Sequence, residues 1–151
     1  MASLSQFLAY AAAFEKAFES DDWSLVEPFF TEDAVYEVGL SGTFGGRIEG
    51  RPAVLDYFKR VLDAFDRRFA TRAIVLLDGP RVEGDSIRAR GRVDYTTPLA
   101  PDLSFELEET ATYDGDLICR LEDYYADAAR ETLAKYIDAH RPVLGIPSLD
   151  D

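Results

Sequence analysis

The spacing of hydrophobic residues predicts three helices in the first part of the chain. Across Ser3–Ser20, apolar side chains recur every three or four positions, as they do along one face of an amphipathic helix. Asp21 or Asp22 can cap a short second helix that continues to Phe30. Pro52 suits the first turn of a third helix, because the amide hydrogen that proline lacks is unpaired there.

Elsewhere the apolar residues alternate with polar ones, which indicates β-strands. The predicted strands are Ala34–Val38, Phe69–Leu77, Ser86–Thr97, Ser104–Tyr113 and Leu117–Ala126. The five glycines of Gly39–Gly50 predict a flexible loop after the first strand. A last helix is predicted over Ala128–Ala139, and we expect the tail Pro142–Asp151 to be loosely held.

This order of elements predicts an α+β fold. Helices that precede a meander of strands pack on one face of a curved antiparallel sheet. A chain of 151 residues is long enough to bury a substantial core, and we see no internal repeat or linker. We therefore predict one domain that covers residues 1–151.

Composition and charge narrow the classes of partner and site. A formal net charge of −13 argues against nucleic acid and against an anionic membrane surface, because phosphate groups would be repelled. The single cysteine, Cys119, excludes an internal disulfide, and with one histidine, His140, there is no zinc-binding pattern. No calcium-loop, phosphate-loop or dinucleotide motif occurs, so we predict neither a metal nor a cofactor. With no membrane span or signal peptide recognisable, we expect a cytoplasmic protein.

Asp123 is the first candidate for chemistry. It interrupts a strand face that is otherwise largely apolar, formed by Leu117, Cys119, Leu121 and Tyr125. A carboxylate among apolar neighbours resists ionisation unless a cation or a hydrogen-bond donor compensates it, which is one way to tune an acid or a base. The alternative is a carboxylate at the end of a sheet where that face reaches water.

Arg92 and Asp94 are two further candidates, two positions apart and therefore on one face of a strand. An arginine between two carboxylates could drive their pKa values apart, as acid–base catalysis requires. The intervening positions are mostly apolar, however, so simple alternation places Arg92 and Asp94 in solvent. Ion pairs with Glu106 and Glu108 on the next strand would then explain this polar face without catalysis.

Two motifs resemble the SnoaL-like branch of the nuclear-transport-factor-2-like superfamily. They are Phe29-Phe30-Thr31-Glu32-Asp33-Ala34-Val35-Tyr36 and Gly50-Arg51-Pro52-Ala53-Val54, the second of which opens a helix. The resemblance covers nearly the whole chain. It implies a cone-shaped fold in which a curved sheet and helices enclose a pocket for a small apolar or polycyclic ligand, commonly in a homodimer. Such motifs specify the fold better than the function.

Within that superfamily, Arg92-Val93-Asp94 and Asp123-Tyr124 most resemble limonene epoxide hydrolase. The resemblance implies that Asp123 deprotonates water, that Asp94 protonates the epoxide oxygen and that Arg92 bridges the two carboxylates. Tyr36 matches the tyrosine that orients the water. Val38 stands where that family has an asparagine, and the glycine-rich loop is longer than in the family.

Three functions are therefore open. The first is a cofactor-independent epoxide hydrolase that uses the Asp–Arg–Asp triad and Tyr36. The second is a SnoaL-like cyclase or a ketosteroid-type isomerase, in which one carboxylate, Asp123, moves a proton next to a carbonyl group. The third is a ligand-binding protein without catalysis. We rank a small-molecule pocket enzyme ahead of a binding protein.

Overall fold

The computed structural model describes residues 2–148. Its helices are α1 (Leu4–Ser20), α2 (Arg51–Ala64) and α3 (Asp127–Leu144). Its strands are β1 (Phe30–Val38), β2 (Gly46–Glu49), β3 (Thr71–Glu83), β4 (Ser86–Thr97), β5 (Ala100–Asp114) and β6 (Leu117–Tyr124). Within this range no helix combines the length and the apolar character that crossing a bilayer requires.

A single curved sheet holds the six strands in the order β2-β1-β6-β5-β4-β3, and it does not close into a barrel. Helix α2 packs against β1, and α1 approaches β3. The predicted α+β fold, with helices on a curved sheet, is confirmed. One feature differs, because β1 and β6 run parallel and the sheet is therefore mixed.

The glycine-rich segment predicted as a loop contains strand β2, which pairs antiparallel with β1 at the edge of the sheet. Four residues are too few for an alternating pattern to be recognised. The pairing is visible only in three dimensions, where the Arg47 guanidinium lies 2.6 Å from a Glu37 carboxylate oxygen and 2.8 Å from a Glu49 one. The prediction of a flexible loop over Gly39–Gly50 was therefore wrong for the four residues of β2.

The predicted second helix is replaced by two 3₁₀ turns, Trp23–Leu25 and Glu27–Phe29. Pro28 lacks the amide hydrogen that a continuous helix would use at this point, so the helix cannot propagate through it. At the other end of the chain, α3 continues to Leu144, and Ile146 beyond it is buried. Of the predicted loose tail, residues 149–151 lie outside the described part.

Alternation along the central strands separates two faces of the sheet. On β4 and β5, the buried Val93, Tyr95, Leu103 and Phe105 face the helices, and we call this side the inner face. The residues between them lie on the opposite side, the outer face, which is largely polar. Aromatic side chains from α1 and α2 pack toward the inner face, and a cavity remains between the helices and the sheet.

Candidate functional site

The cavity between the helices and the inner face has a volume of about 200 Å³. At about 30 Å³ per water molecule in the liquid, this is the space of six or seven waters. Eight aromatic residues line it, namely Tyr10, Phe14, Tyr36, Tyr57, Phe58, Tyr95, Phe105 and Tyr125. Its charged lining residues are Glu15, Asp66, Arg72, Glu109 and Asp123.

Asp123 lies on the inner face of β6 and is only 7% exposed. The Tyr36 hydroxyl on the neighbouring strand β1 donates a short hydrogen bond to Asp123 Oδ2. Asp123 Oδ1 is buried and accepts no hydrogen bond from an N–H or hydroxyl group of the described residues. Of the sequence candidates, the structure therefore brings Asp123 and Tyr36 together inside the cavity.

Glu109 is the residue on β5 that faces Asp123 across the strand pair. Burial first, and then the Asp123 charge and a hydrogen bond to that group, raise the pKa of Glu109 well above its usual value. Burial also raises the pKa of Asp123, although hydrogen bonds from Glu109 and Tyr36 act in the opposite direction. Glu109 is thus the group that keeps a proton, and Asp123 is the group that accepts its hydrogen bond.

The two carboxyl groups behave as one titrating pair. A hydrogen bond between two carboxyl groups requires a proton on one of them, and burial together with the Asp123 charge favours the protonated form of Glu109. Arg72 is the one cationic side chain among the described residues of the cavity wall, and it is engaged elsewhere. A carboxylic acid beside a carboxylate, without a nearby counter-ion, is an arrangement that can both give and take a proton.

Three more tyrosines surround the pair. Tyr57 donates a hydrogen bond of 2.5 Å to the Phe44 carbonyl, whereas the hydroxyls of Tyr10 and Tyr125 make no hydrogen bond within the described structure. Burial first, and then the nearby charge on Asp123, raise the pKa values of Tyr10 and Tyr125 well above the usual value of tyrosine. Both hydroxyls therefore stay protonated and are free to contact a ligand.

A second polar centre lies in the cavity wall nearer to β3. Asp66, in the turn after α2, is 8% exposed, and its Oδ2 accepts hydrogen bonds from Arg72 Nε (2.7 Å) and the Tyr95 hydroxyl (2.8 Å). Arg72 Nη1 also donates to both carboxylate oxygens of Glu15 on α1, at 3.2 and 3.1 Å. Burial raises the pKa of Asp66 despite the opposing charge of Arg72.

Arg92 and Asp94 lie on the outer face, away from this cavity, because Val93 and Tyr95 take the inner positions of β4. Two hydrogen bonds of 2.8 and 3.0 Å join their side chains, and Ser104 Oγ donates another of 2.7 Å to Asp94. Hydrogen bonds from Arg92 and Ser104 lower the pKa of Asp94. The structure therefore does not bring these two residues together with Asp123.

Ion pairs cover this outer face, as simple alternation predicts. Arg90 lies 2.6 Å from Glu106, and Arg88 lies 3.7 Å from Glu108. Arg92 also borders an open groove of about 560 Å³ between this face and α3. Val38, on the other hand, is buried beside the carboxyl pair, since it is the residue of β1 that faces Asp123.

Glu109 was missed in the sequence although its signal matches that of Asp123. It occupies an odd position of β5, in a face otherwise formed by Leu103, Phe105, Leu107 and Ala111. A charge in such a face is the pattern that singled out Asp123. The Asp66–Arg72 pair gives no comparable signal, because Asp66 lies in a turn and Arg72 is the second residue of its strand.

The described residues 2–148 contain no cluster of three or more histidine, cysteine, aspartate or glutamate side chains placed to hold a metal ion. The polar groups that Asp123, Glu109 and the tyrosine hydroxyls present to the cavity are of the kinds that exchange protons and form hydrogen bonds.

Comparisons with solved structures show the same fold in proteins of distant sequence. An NTF2-like protein of unknown function from Burkholderia pseudomallei is 14% identical, with 89% of this chain and 98% of that chain covered and a TM-score of 0.68. A Mycobacterium tuberculosis protein in complex with estradiol-17β-hemisuccinate is 14% identical, with coverage of 81% and 95% and a TM-score of 0.59. A putative polyketide cyclase from Sinorhizobium meliloti is 23% identical, with coverage of 76% and 93% and a TM-score of 0.56.

Sequence comparison places the chain in a family. A search of curated protein sequences gave no significant match. The profile of the SnoaL-like domain, in contrast, matches residues 10–142, a stretch that includes all the strands and both polar centres of the cavity. The chain therefore belongs to the SnoaL-like domain family.

Proposed function

We propose that the protein is a small-molecule enzyme that moves a proton on a compact ring compound, in a reaction of the cyclase or isomerase type. The observation that carries this proposal is the Asp123–Glu109 pair, two facing carboxyl groups in a cavity walled by aromatic rings. Carboxyl groups with raised pKa values, placed where a substrate fits, are suited to acid–base catalysis near neutral pH.

In this reaction Asp123 acts as the base. Its carboxylate takes a proton from the carbon next to a carbonyl group, and the electron pair of the broken C–H bond forms an enolate. In an isomerisation, Asp123 returns the proton to another carbon of the conjugated system. In a cyclisation, the enolate carbon attacks a second carbonyl group, and the proton passes to the new alkoxide. Glu109, through its hydrogen bond to Asp123, stabilises the carboxylate before the proton is taken.

The size of the cavity favours a ligand of one or two rings. An apolar cavity of about 150 Å³ is enough for benzene, and this one measures about 200 Å³. Two of the fold relatives support the class of ligand, since one is described as a putative polyketide cyclase and another holds a steroid ester. A compact ketone with an aromatic body fits both the volume and the aromatic wall.

Hydrogen exchange on a two-ring ketone tests this proposal. We expect the protein to speed the exchange of the C1 hydrogens of 2-tetralone for deuterium, followed by NMR in heavy water, and Asp123→Asn to remove the acceleration. Exchange no faster than in buffer, or equally fast with the variant, contradicts proton transfer by Asp123. If the ketone binds but the protein does not accelerate its hydrogen–deuterium exchange, the binding-protein alternative is favoured.

Water addition to an epoxide is a second candidate, favoured by the neutral acid next to the carboxylate. Asp123, held by Tyr36, would deprotonate the water, and Glu109 would protonate the epoxide oxygen as the ring opens. Arg92 and Asp94 would have no part in it. Hydrolysis of indene oxide in ¹⁸O-labelled water is the test. If the wild type forms labelled diol and Glu109→Gln does not, epoxide hydrolysis is favoured. If no labelled diol forms while exchange on 2-tetralone is accelerated, the first candidate is favoured.

The homodimer expected from the family resemblance stays a prediction. Large apolar side chains lie exposed along β3, among them Ile74, Leu76 and Val82, and exposed apolar patches often mark interaction sites. Sedimentation of the wild type and of Leu76→Asp tests this expectation. A dimer that the substitution weakens supports it, and a monomer at high concentration contradicts it.

A further inference from the structure

The second polar centre of the cavity has no role in the proton transfer proposed above, and it points to a class of ligand. We propose that Arg72 binds a carboxylate group of the ligand. In the free protein Glu15 occupies this position on Arg72, and the ligand carboxylate displaces it. The inference rests on the proposed use of the cavity for a small molecule, but not on the reaction that follows.

Arg72 is held in a fixed orientation. Its Nε lies 2.7 Å from Oδ2 of the buried Asp66, whose position is also set by the Tyr95 hydroxyl at 2.8 Å. The guanidinium carbon lies 5.1 Å from the centre of the Phe18 ring, on which it stacks as a cation. Only 10% of the Arg72 side chain is exposed. A guanidinium fixed in this way presents its remaining N–H groups to a partner of defined geometry.

That partner, Glu15, is the loosely held member of the centre. Its side chain is 51% exposed on α1, and both of its oxygens approach the same nitrogen, Arg72 Nη1, at 3.2 and 3.1 Å. Half of the Glu15 side chain is open to water, which competes with Arg72 for its carboxylate. Glu15 can therefore rotate into solvent and leave Nη1 to another carboxylate. Arg72 cannot leave in the same way, since Asp66 holds it.

Glu15 and Arg72 both line the cavity, so a ligand in the cavity can reach this position. A carboxylate is the group that a guanidinium recognises best, and here it replaces a carboxylate of equal charge. The net charge of the centre then stays the same. The strongly negative charge of the whole protein slows the approach of an anion, but Glu15 shows that this position accommodates one.

The distance between the two polar centres defines the ligand further. Arg72 faces Tyr95, which in turn faces Leu103 on β5, whereas Asp123 faces Glu109, six positions further along the same strand. This register places the two centres toward different ends of the cavity, while its volume of about 200 Å³ limits the ligand to one or two rings. We therefore infer a compact ligand with its carboxylate toward Arg72, its rings against the aromatic wall and its reacting carbon toward Asp123.

Calorimetry with two matched ligands tests this assignment. The probes are 2-naphthylacetate and 2-(2-naphthyl)ethanol, which share a two-ring body and differ in the carboxylate. Glu15→Gln removes the competing charge, and we expect it to tighten binding of the acid about two- to fivefold while leaving the alcohol unchanged. Glu19→Gln is the control, because it removes the same charge from an exposed position one turn further along α1.

The ratio of the two affinities decides between the outcomes. The ratio is the affinity for the acid divided by the affinity for the alcohol. The proposal is supported if Glu15→Gln raises this ratio and Glu19→Gln does not, or if Arg72→Gln abolishes the preference for the acid. If Arg72→Gln fails to fold because Asp66 loses its partner, the Glu15→Gln ratio still decides. A ratio unchanged by Glu15→Gln, or raised equally by Glu19→Gln, overturns the proposal, and so does a wild type that binds neither probe. Calorimetry measures binding alone, so an acid preference without deuterium exchange supports this assignment and contradicts only the proposed reaction.

Discussion

Two pairs of polar side chains on the same sheet differ in almost every physical respect. Asp123 and Glu109 face each other on the inner side, among aromatic rings, and burial raises the pKa of both carboxyl groups. Arg92 and Asp94 lie on the outer side, in contact with water, and their hydrogen bonds lower the pKa of Asp94. The first pair shares a proton, and the second is an ordinary ion pair.

The difference shows that the face of the strand matters more than the types of residue. An aspartate two positions from an arginine resembles a catalytic motif, but an exposed ion pair has little to offer a substrate inside the cavity. The sequence gives no sign that two carboxylates face each other, because 14 positions separate Glu109 from Asp123. We propose this second arrangement as the one that moves a proton.

The largest effect that we expect comes from substituting one aspartate of each pair. In the deuterium-exchange assay on 2-tetralone, Asp123→Asn should lower the accelerated rate at least about 100-fold, because general-base catalysis contributes about 10²- to 10⁴-fold. Asp94→Asn should stay within about twofold of the wild type, because Asp94 does not reach the cavity. Equal losses in the two variants would remove the distinction between the pairs.

A smaller effect is expected on stability, where Glu109 can be compared with Glu106 on the opposite face of β5. The native state holds the Glu109 proton more tightly than the unfolded chain does. Between the usual pKa of glutamate, about 4.3, and the raised value, the native state therefore binds more protons, and stability falls as pH rises. The side chain introduced by Glu109→Gln does not titrate, so the variant does not lose stability in this way as pH rises.

Denaturant unfolding at several pH values measures the effect. We expect Glu109→Gln to gain on the order of 1–3 kcal/mol relative to the wild type at pH 8, and the gain to vanish near pH 4. Glu106→Gln removes an exposed carboxylate that pairs with Arg90, so its difference from the wild type should stay small at both values. A gain for Glu109→Gln that does not depend on pH would contradict the shared proton.

Much of the fold could be predicted from the sequence because periodicity reports burial directly. The strand Ser86–Thr97 was predicted with the bounds that the structure shows, and α1 differs by a single residue. Strand β2 could not be recognised, since four residues that begin with a glycine carry no periodic pattern. The parallel pairing of β1 with β6 joins segments distant in sequence, which local patterns do not report.

The site was predicted only in part, for a related reason. Asp123 is detectable because a charge in an apolar face is a local anomaly, whereas its hydrogen bond from Tyr36 joins two strands and is seen only in the structure. Glu109 carries the same anomaly, but three glutamates stand close together on its strand and the local pattern gives them equal weight. The Asp66–Arg72 pair could not be predicted, because it depends on how the turn after α2 is placed against β3.

A smaller change in the inner pair is expected from Tyr36→Phe. The Tyr36 hydroxyl donates to Asp123 Oδ2, and that hydrogen bond lowers the pKa of Asp123. Without it the pKa rises further, so the fraction of ionised Asp123 falls and the acid limb of the pH–rate profile moves to higher pH. We expect a loss of about tenfold in exchange at pH 6, on the order of one such hydrogen bond, and a smaller loss at pH 9. A loss of equal size at both values would mean that Tyr36 positions Asp123 without tuning it.

The smallest effect is expected on the outer side, from Arg92→Gln. This substitution removes the partner of Asp94 but leaves Ser104 as a donor to the same carboxylate, in a position open to water. Exposed ion pairs contribute little, and salt screens them. The melting temperature should therefore change by less than about 2 °C, a difference that shrinks in 0.5 M salt, and the exchange rate should not change. A marked loss of exchange activity would instead connect the outer face to the cavity through β4, and the two pairs could no longer be treated as separate.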